Sequence, residues 1–442
     1  MSEATLSASL PLSSSEVFAQ RQAQLGLNAD WFAEKQAAAW SQFQELPFPT
    51  RTNENWRFAS LKQVRALEDF VPTPFAAAGD EETLVARSSH LKDYAGRFVF
   101  VDDNLAAARE LDPELARQGV IFTTLIDALH QHRELVEKYL LQQSPELGSE
   151  KFETLHVAMM RAGVFLHVPK GVEVKKPFLV YHWNKNDGGA IFPHTLFVCD
   201  ENAEANLIEF QESAQTDTRH LVVANSHVYA ERGARPSHTI IQNWNLNTLS
   251  FQLNTSNAQS DVTSRGTVIN VGSDQARQEI HGKIFGSGSD VNIYSLNVPR
   301  GSQEMDQRTL QTHLAPNSRS DLLFKNALQG DSKTIFSGLI IVAEHAQGTD
   351  AYQTNNNLML SDTAEANSLP GLEIGANDVK CSHGATTGRI DDSNIFYFLA
   401  RGIPRPMAEE LMVFGFFEEI IEKFDNEDLA EFVRGLVQNK FR

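Results

Sequence analysis

Few cysteines, no long apolar run and a shortage of basic residues characterise this chain of 442 residues. Its two cysteines, Cys199 and Cys381, are far apart and do not form the disulfide framework of a small secreted protein. No stretch approaches the ~20 consecutive apolar residues of a membrane-spanning helix. Residues 1–12 lack a basic region ahead of an apolar core, so they do not resemble a signal peptide. We therefore expect a cytoplasmic protein that does not span a membrane.

The excess of acidic residues limits the class of partner. The chain has 38 Lys and Arg against 57 Asp and Glu, a formal net charge of −19. Nucleic acid is a polyanion, and the sequence contains no block of Lys and Arg that would attract it. Hydrophobic residues make up 41%, which is enough for a large buried core and too much for a disordered chain. We expect a folded protein with neutral or basic protein partners and no nucleic acid.

The hydrophobic pattern divides the chain into three regions, the first two of which are residues 1–160 and 161–390. The first predicts mostly helix, including helices over 124–141 and 151–160. The second contains short β-type runs separated by Asn, Asp, Gly and Ser, which predicts a sandwich, a barrel or a solenoid. Its length favours a solenoid, and the asparagines at 355–357 suit amide ladders between stacked coils. The repeat is degenerate, and no period can be assigned.

Residues 391–442 predict a C-terminal helical region. Asp392 is the predicted N-cap of one helix and Gly402 its end, and Pro404 or Pro406 begins the next helix. Apolar residues then form a stripe that is too wide for one packing face. Two interpretations stay open: the stripe packs on the end of the solenoid, or it docks a partner subunit.

Cys381 and His383 are the candidate metal ligands. In an extended segment, residues two apart project from the same face, so a thiol and an imidazole lie together. Such a pair could hold part of a metal or a nascent cluster, but it cannot complete a tetrahedral site alone. The simpler alternative is a buried cysteine beside a hydrogen-bonded histidine, which is common in strands.

Two other patterns do not support a site. Residues 330–334 are similar to the end of a phosphate-binding loop, but Ser332 and Ala327 occupy positions where that loop needs glycine. We therefore predict that this chain does not hydrolyse a nucleotide itself. His130 and His132 lie two apart in a predicted helix and face different sides, so a shared metal is not expected.

Residues 380–403, KCSHGATTGRIDDSNIFYFLARGI, resemble the signature of the SufD branch of the SufB/SufD family. These proteins are scaffold subunits of the bacterial SUF machinery for iron–sulfur cluster assembly. Residues 53–58 (NENWRF) are similar to an N-terminal element of the family, and residues 336–340 and 354–358 are similar to its late core. Residues 372–374 lead into the signature as they do in the family. The resemblance spans most of the chain and is weakest over residues 70–150.

This resemblance implies a mainly β fold, a right-handed parallel β-helix flanked by helical regions. It implies pairing with the homologous subunit SufB, and binding of the ATPase SufC through residues 391–442. His383 takes the position of the family histidine that lies at the SufB interface, opposite a cysteine of that partner, and Cys381 takes the family's cysteine position. A transient iron–sulfur cluster would then be shared with SufB. The chain would be a non-catalytic scaffold without a nucleotide of its own.

The resemblance leaves two points open, a flavin bound within the complex and a homodimer of the isolated chain. Two rival functions also stay open. One is a β-helix polysaccharide lyase or hydrolase, although the sequence shows neither a secretion signal nor grouped carboxylates. The other is a plain interaction module in which Cys381 and His383 are only structural.

Overall fold

The computed structural model describes residues 11–25, 31–65, 67–73, 81–109 and 111–441. It is 42% strand and 25% helix and forms a β-solenoid of about eight turns with helices at both ends. The predicted mainly β solenoid is therefore confirmed. No helix among the described residues is long and apolar enough to cross a membrane.

Helices occur before and after the solenoid. They are α1 (Ser15–Leu25), α2 (Trp31–Glu45), α3 (Lys62–Arg65), α4 (Glu82–Arg87), α5 (Pro113–Arg117), α6 (Leu125–Gln131), α7 (Arg133–Tyr139), α8 (Glu150–Met159), α9 (Asp392–Leu399), α10 (Arg405–Ile421) and α11 (Glu427–Asn439).

Strands run from residue 71 to residue 389. They are β1 (Val71–Pro72), β2 (Gly96–Val101), β3 (Asn104–Arg109), β4 (Ile121–Thr124), β5 (Gly163–Val168), β6 (Phe178–Asn184), β7 (Gly189–Ile191), β8 (His194–Cys199), β9 (Glu204–Ser213), β10 (His220–Ala230), β11 (Arg235–Asn243), β12 (Thr248–Ala258), β13 (Thr263–Asn270), β14 (Gln275–Ile284), β15 (Asp290–Asn297), β16 (Arg300–Gly301), β17 (Glu304–His313), β18 (Arg319–Gly330), β19 (Lys333–Val342), β20 (Thr349–Met359), β21 (Glu365–Ile374) and β22 (Val379–Arg389).

Two sheets form the solenoid. The first has the order β21-β19-β17-β14-β12-β10-β8-β5-β4, and the second β22-β20-β18-β15-β13-β11-β9-β6-β2-β3. Pairing is parallel along the coils, whereas β3 and β4 pair antiparallel at the first coil. At the other end, no strand of the described residues pairs with the outer edge of β21 or β22. We call β21 and β22 the terminal coil.

The molecule is built in four layers. Inward-facing side chains such as Phe197, Leu207 and Phe324 form one core between the two sheets. Helices α1, α2, α3, α6, α7 and α8 pack on the outer face of the first sheet, and α4, α10 and α11 pack on the outer face of the second. The late apolar stripe therefore packs on a sheet face, and the interpretation that it packs on the solenoid end is wrong.

Lumen amides join neighbouring coils, as the asparagine run predicts. Asn270 donates to the side chain of Asn297 at 2.8 Å, and Asn326 donates to Asn357 at 2.7 Å. Each pair is in register on adjacent parallel strands. These bonds satisfy polar groups that would otherwise be costly to bury.

Left-handed turn residues stack from coil to coil on one side of the solenoid, from residue 171 to residue 348. Positive φ angles recur about every 30 residues, and glycine alternates with asparagine or aspartate. The positions are Gly171, Asn202, Gly233, Asp261, Gly288, Asn317 and Gly348. These are the residue types that tolerate this conformation. The repeat period that the sequence hides is therefore carried by backbone conformation.

The N-terminal element at residues 53–58 joins the N-terminal helical layer to the first sheet. The indole of Trp56 is buried and donates to the carbonyl of Gly148 at 2.7 Å. The guanidinium of Arg277, on β14, lies 3.9 Å from the centroid of that indole and donates to the Asn55 carbonyl at 3.0 Å. Glu279 pairs with the same guanidinium at 2.7 Å. This cation–π and ion-pair contact holds the helical layer on the first sheet.

Several local predictions need correction. The single helix predicted over 124–141 is two helices, α6 and α7, because His132 between them leaves helical geometry with φ −131°. The cap of α9 is Asp391 rather than Asp392, since the Asp391 carboxylate accepts from the Ser393 amide at 2.9 Å. The region 1–160 also contributes β1–β4 to the sheets. The division at residues 160 and 390 stays a prediction.

Candidate functional site

Cys381 and His383 lie on β22, the last strand of the second sheet. Cys381 is in register with Ala351 of β20, and His383 with Gln353. Ala351 and Gln353 are buried in the lumen. Because side chains alternate along a strand, Cys381 and His383 both continue this inward column. The prediction that they share a face is confirmed, and they share it on a coil that nothing covers among the described residues.

The thiol of Cys381 is half-buried. It packs against an apolar cluster that includes Ile340, Val342 and Ala376. Burial raises the pKa of this thiol, and the carboxylate of Asp350 raises it further. The isolated chain therefore holds a neutral thiol at pH 7, and a metal would have to displace its proton.

His383 is exposed, in contrast with the residue beneath it. Gln353 is buried and donates from Nε2 to the carbonyl of Gly338 at 3.2 Å, while its Oε1 has no partner. A side chain at position 338 would collide with that amide. Gly338 thus makes room for Gln353. The buried amide of Gln353 is the polar group that lies next to the accessible imidazole of His383 on the neighbouring strand.

The two cysteines are not brought together. Cys199 is buried in the core on β8, near the opposite end of the solenoid. Burial raises the pKa of its thiol, which keeps it inert. Within the described part of the chain, no three His, Cys, Asp or Glu side chains converge on one metal position.

The loop-like pattern at 330–334 is a turn between two strands. Gly330 ends β18 with φ +72°, and Lys333 begins β19 and pairs with Glu365 at 3.3 Å. A phosphate-binding loop would instead lead into a helix. The sequence-based rejection of that pattern is confirmed.

A buried histidine cluster lies between α8 and the first sheet, and the sequence gives no signal for it. His156 bonds through Nδ1 to the Val223 carbonyl at 2.6 Å and through Nε2 to His194 Nδ1 at 3.0 Å. The rings of His194 and His227 lie 5.1 Å apart. Burial lowers the pKa of His156 to about 4 and that of His227 to about 3. These imidazoles are neutral packing groups at pH 7.

Two surfaces expose large apolar side chains. One is the helical surface of α9 and the start of α10, where Phe396 is 70% exposed and Met407 54%. The other is the terminal coil, where Ile374 is 42% exposed and Leu369 40%. A monomer rarely leaves such patches uncovered, so both indicate protein contacts.

The fold and the site together define a class: a β-solenoid protein with an open terminal coil that presents a thiol and an imidazole. Two family models match this chain. The model described as "SUF system FeS cluster assembly, SufBD core domain" matches residues 181–416, and the model described as "SufBD protein N-terminal region" matches residues 14–180. The chain belongs to the SufBD family of SUF iron–sulfur cluster assembly proteins.

Curated relatives cover most of the chain. The iron–sulfur cluster assembly protein SufD of Escherichia coli is 30% identical over 87% of this chain and 87% of its own length. SufD of Bacillus subtilis is 24% identical over 93% of this chain and 94% of its own length. A SufBD family protein of Synechocystis is 26% identical over 84% of this chain. The chain therefore acts in SUF iron–sulfur cluster assembly, together with other Suf subunits.

Proposed function

We propose that the chain is a non-catalytic, cytoplasmic scaffold that pairs with SufB and SufC and helps to hold a nascent cluster. The observation that carries this proposal is the exposed His383 beside Cys381 on a terminal coil that is open among the described residues. A scaffold needs such a site at an interface, where a partner can supply the remaining ligands.

Pairing with SufB takes place at the terminal coil in this proposal. The outer edges of β21 and β22 present backbone N–H and C=O groups that no described strand satisfies. Such edges favour strand addition by another chain. A homologous solenoid is the best-matched partner because its own last coil presents the same spacing. The isolated chain would use the same edge to form a homodimer.

SufC docks on the helical surface of α9 and α10. The buried residues of α10 already pack on the second sheet, and they include Val413, Phe417 and Ile420. Phe396 and Met407 are exposed and free for a second contact. The helical region thus has one face for its own solenoid and another for a partner. ATP hydrolysis belongs to SufC.

The nascent cluster is cargo that His383 and a partner thiolate hold together. Iron–sulfur clusters usually need about four thiolates, and this chain offers one half-buried thiol and one imidazole. Imidazole is a weaker ligand for such a cluster than thiolate, which suits a cluster that is passed on. Cys381 would join only after metal binding removes its proton. A flavin within the complex stays an open part of the proposal.

The test uses His383→Ala in the chain co-expressed with SufB and SufC and isolated anaerobically. We expect the complex to assemble normally, because His383 is exposed and contributes little packing. Cluster formation, measured by visible absorbance and by iron and sulfide content, should fall severalfold.

Ser382→Ala is the matched control, since Ser382 is an exposed neighbour on the opposite face of the same strand. Its cluster yield should equal that of the wild type. A normal yield from His383→Ala would remove this residue from the mechanism and leave a plain interaction module.

A further inference from the structure

A cationic groove lies between α11 and the turns of the middle coils. Its volume is about 760 Å³, within the usual range for small-molecule sites. Arg87, Arg300 and Lys440 line it, and Asp274 is the only acidic residue among the lining residues of the described chain. The walls also carry amides and hydroxyls, namely Ser213, Gln215, Thr216, Asn243, Asn245, Ser302, Gln303 and Asn439, and apolar side chains, namely Trp244, Leu246, Val271 and Leu436.

The three cations contact neutral groups instead of carboxylates. Arg87 stacks over the Trp183 ring at 4.3 Å and donates to the Ala214 carbonyl at 3.3 Å. Arg300 donates to the Lys440 carbonyl at 3.2 Å. Lys440 donates from Nζ to Gln303 Oε1 at 2.8 Å. These bonds position the cations, and no carboxylate among the described residues forms an ion pair with them.

This arrangement is costly unless an anion completes it. The chain as a whole carries a net charge of −19, so it has many carboxylates that could pair with these cations, yet the groove has only Asp274. Burial and, to a smaller extent, the nearby Arg300 lower the pKa of Lys440 to about 8. An anion between Arg300 and Lys440 would stabilise the charged ammonium and raise this pKa again. Guanidinium and ammonium groups are the usual protein ligands of phosphate.

We infer that this groove binds a phosphate-bearing small molecule. The phosphate contacts Arg300 and Lys440, and the remainder of the molecule lies against the amide-rich wall around Asn243 and Asn245. The inference is independent of the cluster site, since none of the lining residues belongs to β21, β22 or α9.

The test is calorimetric titration of the full chain with inorganic phosphate, pyrophosphate and ADP at low salt. We expect pyrophosphate and ADP to bind, and Arg300→Met and Lys440→Met each to weaken binding about tenfold. Lys440→Arg should retain binding. Affinity of the wild type should fall as the pH rises through 8, while that of Lys440→Arg should not, because arginine stays charged.

Lys423→Met is the matched control: it removes one exposed positive charge next to the C-terminal helices but outside the groove. It should bind as the wild type does. Tighter binding of ADP than of pyrophosphate would assign a nucleotide-like ligand, and equal binding would assign free phosphates. No binding by the wild type, or an equal loss in Lys423→Met, would overturn the inference.

Discussion

Single residues in this protein show how burial sets chemistry. Cys381 and His383 are neighbours on one strand face, yet the thiol is half-buried with a raised pKa and the imidazole is open to solvent. The sequence predicted the pair from its spacing alone. It could not predict this difference, because the cover over Cys381 comes from residues such as Ile340 on another strand.

His227 should make stability depend on pH. Its pKa is about 3 in the folded chain, lowered by burial and by the nearby His156 and Lys283, against about 6.5 when unfolded. The unfolded chain therefore binds the extra proton between these values, and stability is full above pH 6.5 and lost as the pH falls toward 3. As the pH falls, the free energy of unfolding should therefore decrease less in His227→Gln than in the wild type, by up to about 1.4 kcal/mol per pH unit.

The measurement is the shift of the urea midpoint between pH 7 and pH 5. His130→Gln is the control, since His130 is exposed. The urea midpoint of His130→Gln should shift between the two pH values by the same amount as that of the wild type. Identical shifts for all three proteins would contradict the assignment.

At the scale of elements, the stacked left-handed turns hold the coils in register. In this column, the side chains of Asn202, Asp261 and Asn317 lie over the glycine of the following coil. That is why the two residue types alternate and why a sequence period is hard to see. The strands themselves were predictable from their β-type runs, whereas the break at His132 depends on packing that the local pattern does not contain.

Gly233→Ala should destabilise the chain more than Gly171→Ala. Both positions have positive φ, which costs alanine about 1–2 kcal/mol. At position 233 a methyl group would also collide with the Asn202 side chain, whereas position 171 has open space. We therefore expect Gly233→Ala to lower the free energy of unfolding by about 1–2 kcal/mol more than Gly171→Ala does.

Urea denaturation measures both variants. The double variant Asn202→Gly/Gly233→Ala removes the collision and should recover that further loss. An equal effect of the two single variants would show that the Asn202 contact does not matter.

At the scale of the whole molecule, two exposed apolar surfaces lie on different elements. From the sequence, the resemblance over residues 380–403 predicts a partner interface at His383, and the wide stripe after residue 404 allows a docking surface. The sequence did not predict the exposed Leu369 and Ile374 of the terminal coil. It could not locate the groove at Arg300 and Lys440. The groove forms from turns and helices that are far apart in the chain, so no local pattern marks it.

A substitution in one of the two surfaces should abolish binding of one partner and leave binding of the other unchanged. Ile374→Glu places a charge on the terminal coil and should abolish co-purification of SufB while SufC still binds. Phe396→Glu places one on α9 and should do the reverse. Each variant is the control for the other. Loss of both partners in either variant would show a single shared interface.

The two ends of the solenoid differ, and this decides how far it can grow. Short antiparallel strands, β3 and β4, cover the first coil, while the last coil stays open among the described residues. A solenoid with two open ends could stack head to tail into a filament. Because the first coil is blocked, two chains can associate only through their terminal coils. The exposed strand edges of the terminal coil then give a dimer and not a fibre.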